Sequence, residues 1–163
     1  MTRIMFVCLG NICRSPMAEI IFRDIAEKAG RGGEFDVASS ATSSENVWNG
    51  TGAEVYPPAK KILAQHGLSA QGKRAVQLTS SDYEKYDLFM CMDRYNVRNV
   101  SRIFGGKNEK TRMLMDFTSR PGDVSDPWYS GDFETAYKDI REGCEGLLKY
   151  CTEQAETEDS SYE

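Results

Sequence analysis

The sequence has no apolar stretch able to cross a bilayer. Its longest, Ile4 to Leu9, has six residues where about 20 are needed. That run is also too short for a secretory leader, which needs a longer core and a small-residue cleavage site, and Arg14 follows too soon. A cytoplasmic protein with no membrane partner is expected. Basic charge is scarce too: 20 Lys and Arg face 25 Asp and Glu, a formal net charge of −5. No excess exists to displace counterions from a phosphate backbone, so nucleic acid is excluded as a bulk-charge partner. One histidine and scattered carboxylates supply no ligand cluster, so neither a metal nor another cofactor is expected. Five cysteines are too few and too uneven for a secreted disulfide scaffold. Neither an internal repeat nor a Pro/Gly/Ser-rich linker divides the chain. A 40% hydrophobic content over 163 residues suffices for one core.

What is present alternates. Residues 4–8 form a continuous apolar run before a Gly-containing turn, the pattern of a buried strand. Ser15 and Pro16 then read as N-cap and first helical residue; Met17, Ile20, Ile21 and Ile25 keep helical spacing, and Gly30 is the stop. Phe35–Ser39 reads as a second strand and 40–56 as a long loop. Pro57-Pro58 opens a helix that ends at His66-Gly67. Leu88–Met92 reads as a third strand, followed by a helix capped by Asp93 and stopped at Gly105-Gly106. Arg112–Met115 reads as a fourth strand. The last helix keeps Phe133, Ala136, Tyr137, Ile140, Cys144, Leu147, Leu148 and Cys151 on one face. Strands alternating with helices imply a single α/β domain over 1–152, an open parallel sheet with helices on both faces. Residues 153–163 are expected to be an acidic, disordered tail. They hold five acidic residues and no Lys or Arg, so the rest of the chain is formally neutral.

Ligands of such sheets sit beyond the carboxyl ends of the strands, which directs attention to Cys8-Leu9-Gly10-Asn11-Ile12-Cys13-Arg14-Ser15. Cys and Arg six apart is a common spacing, equally consistent with a buried strand cysteine and an exposed helix arginine. The context raises it. The pair spans a strand–turn–helix junction in which Gly10 and Asn11 tolerate positive φ. A loop curling into a helix N-terminus aims backbone N–H groups inward and binds a tetrahedral oxyanion. Arg14 can grip two phosphoryl oxygens, the field favours the thiolate of Cys8, and a thiolate beneath a phosphate is placed for in-line attack. Ser15 can donate to the sulfur.

The run Val7-Cys8-Leu9-Gly10-Asn11-Ile12-Cys13-Arg14-Ser15-Pro16-Met17-Ala18-Glu19 resembles the signature of the low-molecular-weight protein tyrosine phosphatases. Val37–Ser43, His66-Gly67, Cys91-Met92-Asp93 and Asp126-Pro127-Trp128-Tyr129 fall in family order. The resemblance implies a four-stranded sheet of order 2-1-3-4 with a phosphate-binding loop, Leu9 to Ser15, after the first strand. It implies hydrolysis of phosphotyrosine in proteins through a phosphocysteine on Cys8, with Arg14 binding the phosphoryl group and Asp126 as general acid and base. Pro127 is expected to hold the Asp126 loop extended. Asn11, Ser15, Ser39, Glu19 and His66 are implied as supports of the phosphate loop. Ile12, Trp48, Trp128 and Tyr129 are implied as walls of the substrate slot, and Cys8 with Cys13 as a reversible redox pair. A monomer with weak self-association is implied.

Two departures or alternatives bear on substrate. The 44–57 loop is longer than the family's usual connection. A related branch acting on phosphoarginine resembles this loop with Thr at the position of Ile12, so Ile12 favours phosphotyrosine. Arsenate reduction on the same scaffold needs two further relay cysteines. Cys91 lies in an expected strand, and the next cysteine is Cys144.

Overall fold

The computed structural model describes residues 1–161. Strand β1 (Thr2–Cys8) carries the apolar run. It pairs in parallel with β2 (Phe35–Ala41) on one side, Ile4 opposite Val37, and on the other with the strand Leu88–Cys91. Between them, Val47–Trp48 (β3) and Thr51–Gly52 (β4) form a separate hairpin. With Leu88–Cys91 as β5 and Thr111–Met113 as β6, the main sheet has the order β2-β1-β5-β6 and is parallel throughout. Counted within that sheet, this is the expected 2-1-3-4.

Alternate residues of the strands serve two cores, as the strand period of two requires. Ile4, Phe6, Cys8, Met90 and Met92 face α1 (Arg14–Lys28), α2 (Pro57–Gln65) and α5 (Phe133–Ser161). Met5, Val7, Phe89 and Cys91 face Val100 of α3 (Arg94–Phe104) and the turn holding Tyr83. α3 is bounded as its sequence dictates. Asp93 and Asn96 form a reciprocal capping box, and Gly105, at φ 84°, takes the left-handed exit.

Three local expectations differ. Ser15 is not the cap of α1: Cys13 is, and the Ser15 side chain is turned inward toward Cys8. The 40–56 segment is not featureless, since the Asn49-Gly50 turn, both residues at positive φ, closes the β3–β4 hairpin. Gly52 is required there because a Cβ would lie 1.9 Å from the Ala75 carbonyl oxygen. The disordered tail is helical through Ser161: α5 continues past Cys151, because extending an existing helix avoids the nucleation cost and Glu, Gln and Ala are good formers. The last two positions of the expected tail, Tyr162 and Glu163, lie outside the described residues. No helix among the described residues is long and apolar enough to cross a membrane.

Candidate active site

Cys8 is the last residue of β1 and is buried. Leu9 to Cys13 curl from it into the N-terminus of α1, whose first N–H groups have no intrahelical acceptors. The turn requires Asn11 at φ 54°, a left-handed conformation that asparagine tolerates. The Asn11 N–H donates to Cys8 Sγ at 3.3 Å, and Ser15 Oγ lies 3.0 Å from the same sulfur. When the sulfur is a thiolate, the Ser15 hydroxyl becomes its donor.

The strained turn is held from beneath. Asn11 Nδ2 donates to Ser15 Oγ (2.7 Å) and Ser39 Oγ (3.0 Å), and Asn11 Oδ1 accepts from the Val76 N–H (2.9 Å). Ser39 Oγ donates to Glu19 Oε1 at 2.7 Å. Four of the five implied supports are thus joined in one network. His66 is not: its ring stacks on Tyr137 at 3.8 Å between centroids, with Nε2 3.8 Å from Glu134. His66 caps the end of α2, which places it against α5 rather than under the loop. The cation in the network is Lys73, whose Nζ donates to the Ser39 carbonyl (3.1 Å) and lies 3.5 Å from Glu19. Burial lowers the Lys73 ammonium below the ordinary lysine value, against the pull of Glu19.

Arg14 is only 6% exposed. Its guanidinium donates to the Val124 carbonyl (3.0 Å) and to Asp93 Oδ2 (2.8 Å). Burial favours loss of its proton, but the Asp93 hydrogen bond and the charges of Cys8, Asp126 and Asp93 outweigh that and raise it above the ordinary arginine value. Asp93 therefore does two jobs, capping α3 with Oδ1 and fixing Arg14 with Oδ2. Asp126 Oδ2 is 3.6 Å from Arg14. Asp126, the residue before Pro127, is extended as expected, at φ −94° and ψ 103°; Pro127 then opens the short helix α4 (Pro127–Ser130), with Asp126 as N-cap accepting from the Trp128 N–H at 3.0 Å.

Cys8, Arg14 and Asp126 share one cavity of about 450 Å³. Leu9, Gly10, Ile12 and Cys13 of the loop line it, together with Trp128 and Tyr129. Trp48 does not line it; the residue sits 60% exposed on β3. Glu45 and Asn46 also line the cavity, with Asn46 Nδ2 donating to the Gly10 carbonyl at 3.0 Å. A Cβ on Gly10 would lie 2.5 Å from that nitrogen, so a larger residue there would push the Asn46 amide off the loop. Trp128 is backed by Tyr56, ring centroids 5.2 Å apart, and the Tyr56 N–H donates to the Ile12 carbonyl at 2.7 Å. Cys13 is also at the cavity; burial, then the neighbouring Cys8, pushes its thiol up to about 12.

Sequence reasoning missed Lys73, Glu45, Asn46, Tyr56 and the second role of Asp93. Only the hairpin had a local signal, the Asn-Gly dipeptide that brings Glu45 and Asn46 to the loop.

Fold and site together define a class: an α/β phosphatase whose oxyanion nest joins the first strand to the first helix. The sequence model described as low molecular weight phosphotyrosine protein phosphatase matches residues 3–157, and the chain belongs to that family. It is 38% identical over 154 residues to the low molecular weight protein-tyrosine-phosphatase YfkJ of Bacillus subtilis, covering 91% of this chain and 94% of that one. The crystal structure of YfkJ superimposes with a TM-score of 0.87 at 36% identity, covering 94% and 96% of the two chains. A structure of the YwlE arginine phosphatase with a phosphorylated active-site serine matches at TM-score 0.79 and 27% identity, covering 93% and 96%; YwlE is a Bacillus subtilis protein.

Proposed function

We propose that this chain hydrolyses phosphotyrosine in proteins, with Cys8 as nucleophile, Arg14 as phosphoryl clamp and Asp126 as general acid and base. The observation that carries the reading is the meeting of these three side chains in one cavity, which Trp128 and Tyr129 also line. The Cys8 thiolate attacks phosphorus as the P–O bond to the tyrosine breaks. Asp126 gives its proton to the departing phenolate oxygen. The Asp126 carboxylate then takes a proton from water, whose oxygen attacks phosphorus. The P–S bond breaks, releasing phosphate and the Cys8 thiolate. Ser15 stabilises that thiolate, and Arg14, with the loop amides, stabilises the charge on the equatorial oxygens.

The exposed rings of Trp128 and Tyr129 at the cavity suit an aromatic phosphoester better than phosphoserine, which brings no ring to stack on them. The arginine phosphatase among the structural relatives makes phosphoarginine the second reading; Ile12, which lines the cavity, favours the aromatic substrate. Rates on phosphotyrosine, phosphoserine and phosphoarginine peptides test this, with phosphotyrosine expected to be fastest by at least about ten-fold, a difference of roughly 1.4 kcal/mol. Cys8→Ser is expected to abolish turnover while keeping vanadate binding. Full activity in that variant would sink the reading.

Cys13 completes it as the redox partner of Cys8. Peroxide oxidises the Cys8 thiolate to a sulfenic acid, and the Cys13 thiol condenses with it, forming the S–S bond and releasing water. Peroxide inactivation should be reversed by dithiothreitol in the wild type and become largely irreversible in Cys13→Ser.

A further inference from the structure

The cavity carries more negative charge than its reaction uses. Arg14 is the one cation among its lining residues, and Asp93 and Asp126 already occupy it. Asp126 has a role in proton transfer. Glu45 has none, yet it lines the same cavity. Among the described residues no Lys or Arg is paired with its carboxylate. A free carboxylate beside a site for a phosphate dianion repels the substrate unless the substrate brings its own positive charge.

The placement of Glu45 is built into the fold. Two residues earlier, the Ser43 N–H donates to the Leu9 carbonyl at 3.0 Å. One residue later, Asn46 holds the Gly10 carbonyl, and its own carbonyl accepts from the Ala53 N–H at 2.8 Å. The Glu45 N–H is itself tied to Ser43 Oγ at 3.2 Å. The backbone of this residue is therefore pinned to the phosphate loop on both sides. Its side chain reaches the loop: Oε1 would lie 3.5 Å from a Cβ on Gly10. Trp128 and Tyr129 line the same cavity, so a residue next to a phosphotyrosine seated there comes within reach of the Glu45 carboxylate.

Resting on the phosphotyrosine reading, we propose that Glu45 is a specificity-determining residue that selects substrates with Lys or Arg adjacent to the phosphotyrosine. The pair it forms is exposed, so its effect is modest and screened by salt: about three-fold in kcat/KM for each charge change, within the range of a surface ion pair.

The test uses the full chain and five-residue phosphotyrosine peptides bearing Arg, Ala or Glu on either side of the phosphotyrosine. In the wild type kcat/KM should fall in the order Arg, Ala, Glu on at least one side, and the spread should shrink in 0.5 M salt. The readout is the Arg-to-Glu ratio within each variant, so a general loss of activity cancels. Glu45→Gln should bring that ratio close to one and Glu45→Lys should invert it. Turnover of all peptides without charge dependence, or a ratio unchanged by Glu45→Gln, overturns the inference and leaves the phosphotyrosine reading standing. Failure to turn over any phosphotyrosine peptide, with phosphoarginine peptides hydrolysed, overturns both.

Discussion

At the scale of single residues, Asp126 and Asp93 set two carboxylates against the one Arg14 guanidinium, the first proposed to serve the reaction and the second serving the architecture. Asp93 is half-buried, 2.8 Å from Arg14, and committed to the α3 cap, so it orients the guanidinium and holds it charged. Asp126 stands farther off, at 3.6 Å, with a side chain about one-third exposed, free to meet a leaving group. The two should therefore separate on substitution. Asp126→Ala should slow phenyl phosphate by about 10²–10⁴-fold, the usual worth of a general acid, and p-nitrophenyl phosphate much less, because its leaving group needs no proton. A plot of log kcat against leaving-group basicity would be steep in the variant and shallow in the wild type; equal slopes would remove Asp126 from proton transfer. Cys8 and Arg14 were legible in the sequence because a strand, a turn and a helix start in register leave a local trace. The Asp93–Arg14 contact left none, since it joins residues 79 apart and Asp93 already had a sufficient local explanation as a cap.

At the scale of elements, the phosphate loop is as much a product of β2 and the segment after α2 as of its own residues. Asn11 at positive φ is kept there by Ser39 and the Val76 N–H, and Ser39 by Glu19 and Lys73. Lys73→Met removes a donor to the Ser39 carbonyl and leaves Glu19, besides the Ser39 hydroxyl, with the more exposed Arg23, 3.1 Å away, as its ion-pair partner. The expected cost is about 1–3 kcal/mol, the penalty of an unsatisfied buried group, read from the urea midpoint. Lys73→Arg should recover part of it. A drop in kcat with KM unchanged would report loosening of the loop as well. The family resemblance pointed to His66 for this place, and the reason it failed is physical. Hydrophobic periodicity and end signals locate helices, but they do not say which polar side chain the chain will carry under a distant strand. The hairpin was missed for a different reason: with two-residue strands it has too little alternation to register, although its Asn-Gly turn was in plain view. The opposite error occurred at the C-terminus, where a dense acidic run outweighed good helix formers that only had to extend α5.

At the scale of the whole molecule, the cysteines give the protein a characteristic response to alkali. Cys13, Cys91, Cys144 and Cys151 are all raised above the ordinary thiol value of 9.0, in each case chiefly by burial, with Cys151 at about 11 and Cys13 at about 12. In the unfolded chain these thiols ionise near pH 9, whereas the folded protein keeps them protonated. Between those limits the folded state binds more protons, so stability falls as pH rises. Their contribution is fully present below about pH 9 and is lost progressively through the folded values. Tyr86, raised by its own burial, acts in the same direction, and Lys73, lowered by burial, acts in the opposite one. Each thiol that ionises only on unfolding adds a slope of about 1.4 kcal/mol per pH unit. Urea midpoints measured from pH 7 to 10.5 should therefore be nearly flat to pH 8.5 and then decline steeply. Cys144, fully buried between α5 and the Ala18 carbonyl of α1, is the residue on which to check the cause. Cys144→Ala should lower stability at pH 7 through the lost packing, yet decline less steeply above pH 9 by about one thiol's slope. A parallel decline in the two proteins would assign the alkaline transition to other groups.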